Sequence, residues 1–261
     1  NVAMMKRFYD RYLKGIDNGW EKEPKVELSI RGPGDTVKRQ VQANAWPIPG
    51  TQWTRLHLDA ASKALGDKPA AAPASASYPA LSEGVTFGSA PLPQDTELGG
   101  PAKAKLYVSS STEDMDIFAT LRAFDPSGKE MTFRTGGEAK APASQGCRRV
   151  SQRKIDPKRS TEWTPFHPHD ERQALTPGEV CEVEIEIWPL SLYLPAGSQL
   201  TLTVQGKDFE RPGETGPTKG VGWMYHDDPR DRPPAIFHGT HAVHTGGGRD
   251  TYLLLPVVPA S

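Results

Sequence analysis

From Lys25 onward, apolar residues rarely run unbroken; they alternate with polar ones in short stretches, each closed by proline or glycine. A period of two puts alternate side chains on opposite faces, which is the signature of a half-buried strand rather than a helix. Lys25–Arg31 sets Val26, Leu28 and Ile30 against Lys25, Glu27 and Ser29. Further on, Val183, Ile185 and Ile187 oppose Glu182, Glu184 and Glu186. Glycine and proline number 25 each, so about one residue in five interrupts regular structure. Such a content fits either disorder or an all-β domain rich in turns. The recurrent Val, Ile, Leu, Tyr and Trp between the breakers supply faces to bury, and they exclude disorder.

The same pattern predicts further strands at 54–58, 85–87, 104–109, 115–124, 131–133, 148–155, 180–188, 199–205 and 251–255. Asp125-Pro126-Ser127-Gly128 reads as a turn, because proline presets φ and glycine accepts a positive one. Pro195-Ala196-Gly197 plays a similar part. Ala70–Ala80 is low in complexity and reads as an extended surface loop. Arg211–Pro234 is dense in glycine, proline and charge and reads as a long loop. Short strands with long crossovers and no helices between them predict two packed antiparallel sheets: an all-β jelly-roll sandwich.

One segment departs from the period of two. Val2, Met5, Tyr9, Tyr12 and Ile16 fall at helical spacings, flanked by Phe8 and Leu13, while Arg7, Asp10, Arg11 and Lys14 lie off that stripe. Gly15 marks the end of this helix. A lone helix of this length is marginal in water, so the stripe is expected to dock on something. Its position ahead of the β region favours a partner, which makes Phe8, Tyr12 and Leu13 the candidate interface residues.

The remaining bulk properties exclude several classes. A formal charge of −1, from 31 basic and 32 acidic residues, offers no bulk attraction for nucleic acid or an anionic membrane. No apolar run approaches the roughly 20 residues that span a bilayer. Cys147 and Cys181 are too few for a disulfide framework and read as free, buried thiols rather than a bridge. No residue pattern calls for a cofactor.

Candidate chemistry is sparse. There is no G-x-S-x-G nucleophile elbow. His238, His241 and His244, with His226 and Asp227, Asp228 and Asp231 nearby, suggest metal ligands. However, i, i+3 spacing suits a helix, whereas this glycine-rich context favours a strand whose positions three apart face opposite sides. Ser109-Ser110-Ser111 with Glu113, Asp114 and Asp116 suggests a nucleophile or a Ca²⁺ loop, but a strand follows rather than a helix, and the calcium-loop pattern fails. A polar turn between strands is the expected reading. Glu182, Glu184 and Glu186 read as the solvated face of a strand. Trp46, Trp53, Trp163, Trp188 and Trp223 read as packing residues, with a sugar-binding surface as the other option.

Several segments, in order, carry a resemblance. They begin with Arg7-Phe8-Tyr9-Asp10-Arg11-Tyr12-Leu13-Lys14-Gly15, ahead of Asn18-Gly19. Asp95 to Pro101, Leu106 to Ser111, Asp114 to Leu121 and the Asp125–Gly128 turn follow. Then come Pro177-Gly178-Glu179, Val183 to Pro189, Pro195 to Leu200, His244 to Gly247 and Tyr252 to Pro259. Together they resemble the C-terminal domain of the X-Pro dipeptidyl-peptidase and cocaine-esterase-like family of serine hydrolases. Where that family usually shows a Gly-His pair, this chain has Gly197-Ser198-Gln199.

The resemblance implies a galactose-binding-like jelly roll over 21–261. Residues 1–20 would be the terminal helix left over from an α/β-hydrolase domain. It also implies that the catalytic Ser, Asp and His lie N-terminal to this helix, so no catalytic residue is expected here. The expected partners are an upstream α/β-hydrolase domain and, for the parent enzyme, a small ester, amide or peptide substrate, with a homo-oligomer left open. The domain would shape the cleft and support assembly. A free-standing carbohydrate-binding module is the alternative, and a structural domain without ligand is a third.

Overall fold

The computed structural model describes residues 2–135, 139–211, 226 and 228–259. One helix, α1 (Val2–Lys14), precedes a body made almost wholly of strands. In chain order these are β1 (Val26–Gly32), β2 (Thr36–Ala43), β3 (Gln52–Asp59), β4 (Ala64–Gly66), β5 (Ala74–Pro79), β6 (Val85–Ser89) and β7 (Thr96–Ser110). They continue with β8 (Asp116–Phe124), β9 (Glu130–Met131), β10 (Ser144–Arg149), β11 (Cys181–Leu194), β12 (Gln199–Gln205), β13 (Thr240–Thr245) and β14 (Tyr252–Val257). A four-residue helix, α2 (Pro234–Phe237), precedes β13.

Hydrogen bonding follows the order β10-β8-β12-β6-β4-β3-β14-β7-β11-β1-β2, with β5 and β13 branching from β7 and β9 from β8. This sheet curls until β10 meets β11. Ser144 Oγ donates to Trp188 O at 2.7 Å. A Cβ on Gly146 would lie 2.0 Å from Glu186 O, so only glycine admits this approach. The result is the expected jelly-roll sandwich. One layer turns Ile117, Ala119 and Leu121 of β8 and Leu200, Leu202 and Val204 of β12 inward. The other turns in Leu106 and Val108 of β7 and Val183, Ile185 and Ile187 of β11, and all belong to one core. Each fully buried large aliphatic side chain contributes on the order of 1.5–3 kcal/mol, so these two facing rows dominate the stability of the domain. A smaller core of Ile30, Val41, Ile48 and Val258 holds β1 and β2 to the edge.

The predicted turns form. Asp125 Oδ1 accepts from the Ser127 backbone at 2.9 Å and Lys129 at 3.1 Å, while Gly128 takes φ 82°. The Ser127 hydroxyl, then the backbone donors, hold the Asp125 carboxyl below its ordinary value.

Three expectations are corrected. Ala70–Ala80 is not a surface loop: residues 74–79 form β5, antiparallel to β13. Ala76 and Tyr78 point inward at 8% and 3% exposure while Ser75 and Ser77 point out, so small residues masked an ordinary period of two. The strand expected at 148–155 lies earlier, because β10 ends at Arg149 and Val150–Gln152 is a 3₁₀ turn with Val150 and Ser151 buried. The thiols are free as expected, but Cys147 is exposed and Cys181 half-buried.

Candidate functional site: an outward-facing helix and the face of β8

The charged side of α1 faces its own chain and its apolar side faces solvent. Arg7 pairs with Glu23 at 2.7 Å and Arg11 pairs with Glu21, both partners lying in or beside the 3₁₀ turn Trp20–Lys22. Asn18 Nδ2 donates to Arg7 O at 2.8 Å, and its Oδ1 accepts from Trp20 N at 3.2 Å. Asp10, the one buried residue of the helix, is held between Lys6 and Lys14, whose bonds keep its carboxyl below the usual value. The helix closes on Gly15 at φ 68°, with Ile16 N donating to Asp10 O at 3.1 Å, a left-handed C-terminal cap.

The opposite side stays open. Leu13 is 76% exposed, Tyr12 59% and Phe8 40%, and Val2, Met5, Tyr9 and Ile16 extend the same surface. Phe8 anchors the group through ring contacts to Tyr9 at 5.3 Å, Tyr12 at 4.8 Å and Trp20 at 5.4 Å. Soluble domains rarely leave so large a contiguous apolar patch without a use for it.

The residues that suggested chemistry do not converge on a catalytic centre. Ser109 and Ser110 end β7, and a short turn leads into β8, as expected for a polar connection. Ser109 Oγ does lie 2.9 Å from His244 Nε2, across the β7–β13 pairing. Among the described residues no carboxylate bonds the other ring nitrogen of His244, and both groups sit on strands rather than at a strand-to-helix turn. Among the described residues, a hydroxyl so placed lacks the orienting acid of a catalytic triad. Burial, and then the nearby Arg249 charge, lower the His244 pKa.

His241 lies on the opposite face of β13. It is fully buried and edge-on to Tyr78 at 5.5 Å, and burial pushes its pKa down to about 4. Among the described residues no three His, Cys, Asp or Glu side chains are arranged to hold a metal. The glutamates of β11 are cross-strand partners, Glu184 of Lys103 at 2.9 Å and Glu182 of Lys105 at 3.0 Å. Trp53 and Trp163 stack on each other at 4.7 Å and 5°, pinning the loop after β10 to β3. Trp46 and Trp188 are exposed, whereas Trp223 and Asp227 lie outside the described residues.

A feature not anticipated from sequence lies on the outer face of β8, where Asp116, Phe118, Thr120 and Arg122 point away from the core. Residues 228–237 cross this face as a strap. Asp116 is 4% exposed and receives both arms of Arg149, at 3.0 and 3.1 Å, with Arg232 Nε 2.7 Å away. Arg149 also pairs with Asp231 at 2.9 Å. Nearby, Asp208 accepts from the backbone and ring of His226, at 2.7 and 2.9 Å, and this bond raises the His226 pKa. Two adjoining cavities of about 460 and 160 Å³ share Asp208 and His226 in their walls. The one available signal was the alternation in β8, whose second face carries aromatic and charged residues instead of the small polar ones of a solvated strand.

The described residues thus form a β-sandwich with an outward-turned helix, and no acyl-transfer centre is assembled among them. Residues 18–254 match the family described as the X-Pro dipeptidyl-peptidase C-terminal non-catalytic domain, and the chain belongs to that family. A CocE/NonD family hydrolase of Staphylococcus aureus, known from its crystal structure, is 29% identical with a TM-score of 0.85, covering 99% of this chain and 46% of that one. The cocaine esterase of a Rhodococcus strain is 21% identical over 98% of this chain and 46% of its own length. A putative serine esterase of Mycobacterium bovis is 23% identical over 77% of this chain and 35% of its own. The chain therefore spans less than half the length of the curated relatives it matches.

Proposed function

We propose that this chain is the C-terminal, non-catalytic part of a serine hydrolase, and that it docks on an α/β-hydrolase domain through the apolar face of α1. The observation that carries the reading is the inverted orientation of that helix: its charges are satisfied within the chain and its apolar side is turned out. Phe8, Tyr12 and Leu13 are the proposed contact residues. Residues 1–20 would belong structurally to the hydrolase domain and 21–261 to a galactose-binding-like jelly roll, a division supported by the family match beginning at residue 18.

The role follows from the chemistry that is missing. The parent would transfer an acyl group from an ester or amide to an enzyme serine and then to water, with nucleophile, base and acid on the docked domain. This sandwich would supply a wall of the cleft and the surface on which the subunit assembles. The relatives named as esterases support ester hydrolysis as the class of reaction.

Two measurements test the reading. The upstream reading frame should encode a G-x-S-x-G elbow, and the longer polypeptide should hydrolyse a chromogenic ester that the purified chain leaves intact. An upstream frame without that elbow, or ester turnover by the purified chain, overturns it.

A further inference from the structure

We propose that the cleft between Trp188 and the Asp208–His226 pair binds a neutral saccharide, one sugar ring stacked on Trp188. This inference is independent of the reaction assigned to the parent enzyme. Trp188 is 68% exposed, although it sits in β11 beside fully buried Ile187 and Leu190. A bulge between Ile187 and Leu190 breaks the pairing with β7 and lets the indole turn outward. The indole forms one wall of the 160 Å³ cavity, with Phe118 and Phe209 among the other walls and Gln145, Asp208 and His226 as polar groups.

The chemistry of those walls selects the ligand. A cation gains little from Phe118 and Phe209, because their faces already hold guanidinium groups, and Trp188 alone stays open. Arg232 lies 4.9 Å over Phe118, and Arg122 and Arg211 each lie 5.4 Å from Phe209. An anion is disfavoured because the cations in the wall of the larger cavity, Lys207 and Arg232, are already paired with Glu83 and Asp116, and the Asp208 carboxylate lines both cavities.

A neutral polyol satisfies both limits. Its axial C–H face packs on the exposed indole, and its hydroxyls meet an acceptor carboxylate and an amide able both to donate and to accept. Asp208 is held in place for this role: two N–H groups of His226 fix its oxygens, and Gln205 Nε2 donates to its carbonyl at 3.0 Å. Each carboxylate oxygen retains a lone pair for a ligand hydroxyl. The adjoining 460 Å³ cavity gives space for further sugar units beyond the first.

The test uses the full chain, with saturation-transfer NMR and calorimetry against methyl glucoside, galactoside and mannoside, N-acetylglucosamine, maltotriose and cellotriose. The expected result is saturable binding of at least one saccharide. Affinity should fall tenfold or more in Trp188→Ala and in Gln145→Ala, with the unfolding midpoint of each variant unchanged. Absence of saturable binding throughout the panel overturns the proposal. So does binding that survives both substitutions, which would place the sugar elsewhere.

Discussion

Replacing Phe8, Tyr12 and Leu13 together by serine separates two destinations for the apolar face of α1. The helix packs on the Trp20–Lys22 turn rather than on the sandwich core, and none of the three side chains belongs to either core cluster. In the isolated chain the loss is therefore confined to a local unit, and the global unfolding free energy should change by less than about 1 kcal/mol. Against a docked hydrolase domain the sum is different. Full burial of a large apolar side chain contributes on the order of 1.5–3 kcal/mol. Leu13 still has about three-quarters of its surface to bury, Tyr12 rather more than half and Phe8 two-fifths. Scaled by those fractions, docking should lose about 3–5 kcal/mol, a weakening of roughly 10² to several times 10³ at 1.4 kcal/mol per decade. Denaturant unfolding of the chain gives the first quantity. Titration of the separately expressed hydrolase domain, or protease cleavage at the junction in the longer polypeptide, gives the second. A drop of several kcal/mol in the isolated chain would instead place the apolar face on the sandwich and rule out an external partner for it.

Three other outcomes follow from single sites. A fluorophosphonate probe should leave the purified chain unlabelled, and Ser109→Ala should leave that result unchanged; a covalent adduct at Ser109 would mean that the Ser109–His244 pair is reactive after all. Gly146→Ala should destabilise the fold by about 2–4 kcal/mol, since its methyl group would meet the Glu186 carbonyl; an unchanged melting temperature would contradict the closure of β10 on β11. His241 and His167 are both depressed to about 4, chiefly by burial, so stability present above the unfolded-state value near 6.5 should be lost as pH falls from there toward 4, by about 2–4 kcal/mol per group. His241→Leu should flatten that acid limb by close to one proton, and a limb of unchanged slope in urea titrations from pH 7 to 4 would count against it.

The elements legible in the sequence were those whose inner faces carry large residues. Alternation of Val183, Ile185 and Ile187 or of Leu200, Leu202 and Val204 against polar neighbours fixes both the strand and its buried side, since each is at most 1% exposed. β5 has the same period but builds it from Ala76 and Ser77, which differ too little in hydrophobicity to register; its partner β13 supplies the missing information. The sandwich was also underestimated at its centre. β7 extends from Thr96 to Ser110 because Gly99 and Gly100 are buried against Val258 and Pro256, where a side chain would crowd its neighbours, and those two glycines read as breakers in isolation.

The candidate sites show a different limit, because amphipathicity gives the division of a surface and not its direction. For α1 the stripe was plain in the spacing of Val2, Met5, Tyr9, Tyr12 and Ile16, yet nothing local says that Arg7 and Arg11 would turn toward the chain. That orientation depends on Glu21 and Glu23 in the following turn, which draw the charged side inward and leave the apolar side open. The outer face of β8 depends on longer links still, joining Asp116 of β8 to Arg232, and Asp208 to His226 within the β12–β13 connection. Those pairings hold the strap over a face that would otherwise be an ordinary solvated strand, and they set Asp208 beside an indole that only the β11 bulge turns outward. Both surfaces consequently depend on features outside the presented element, ionic contacts for α1 and for the strap and a bulge for the indole, and substitutions in those ionic contacts should alter recognition before they alter the fold.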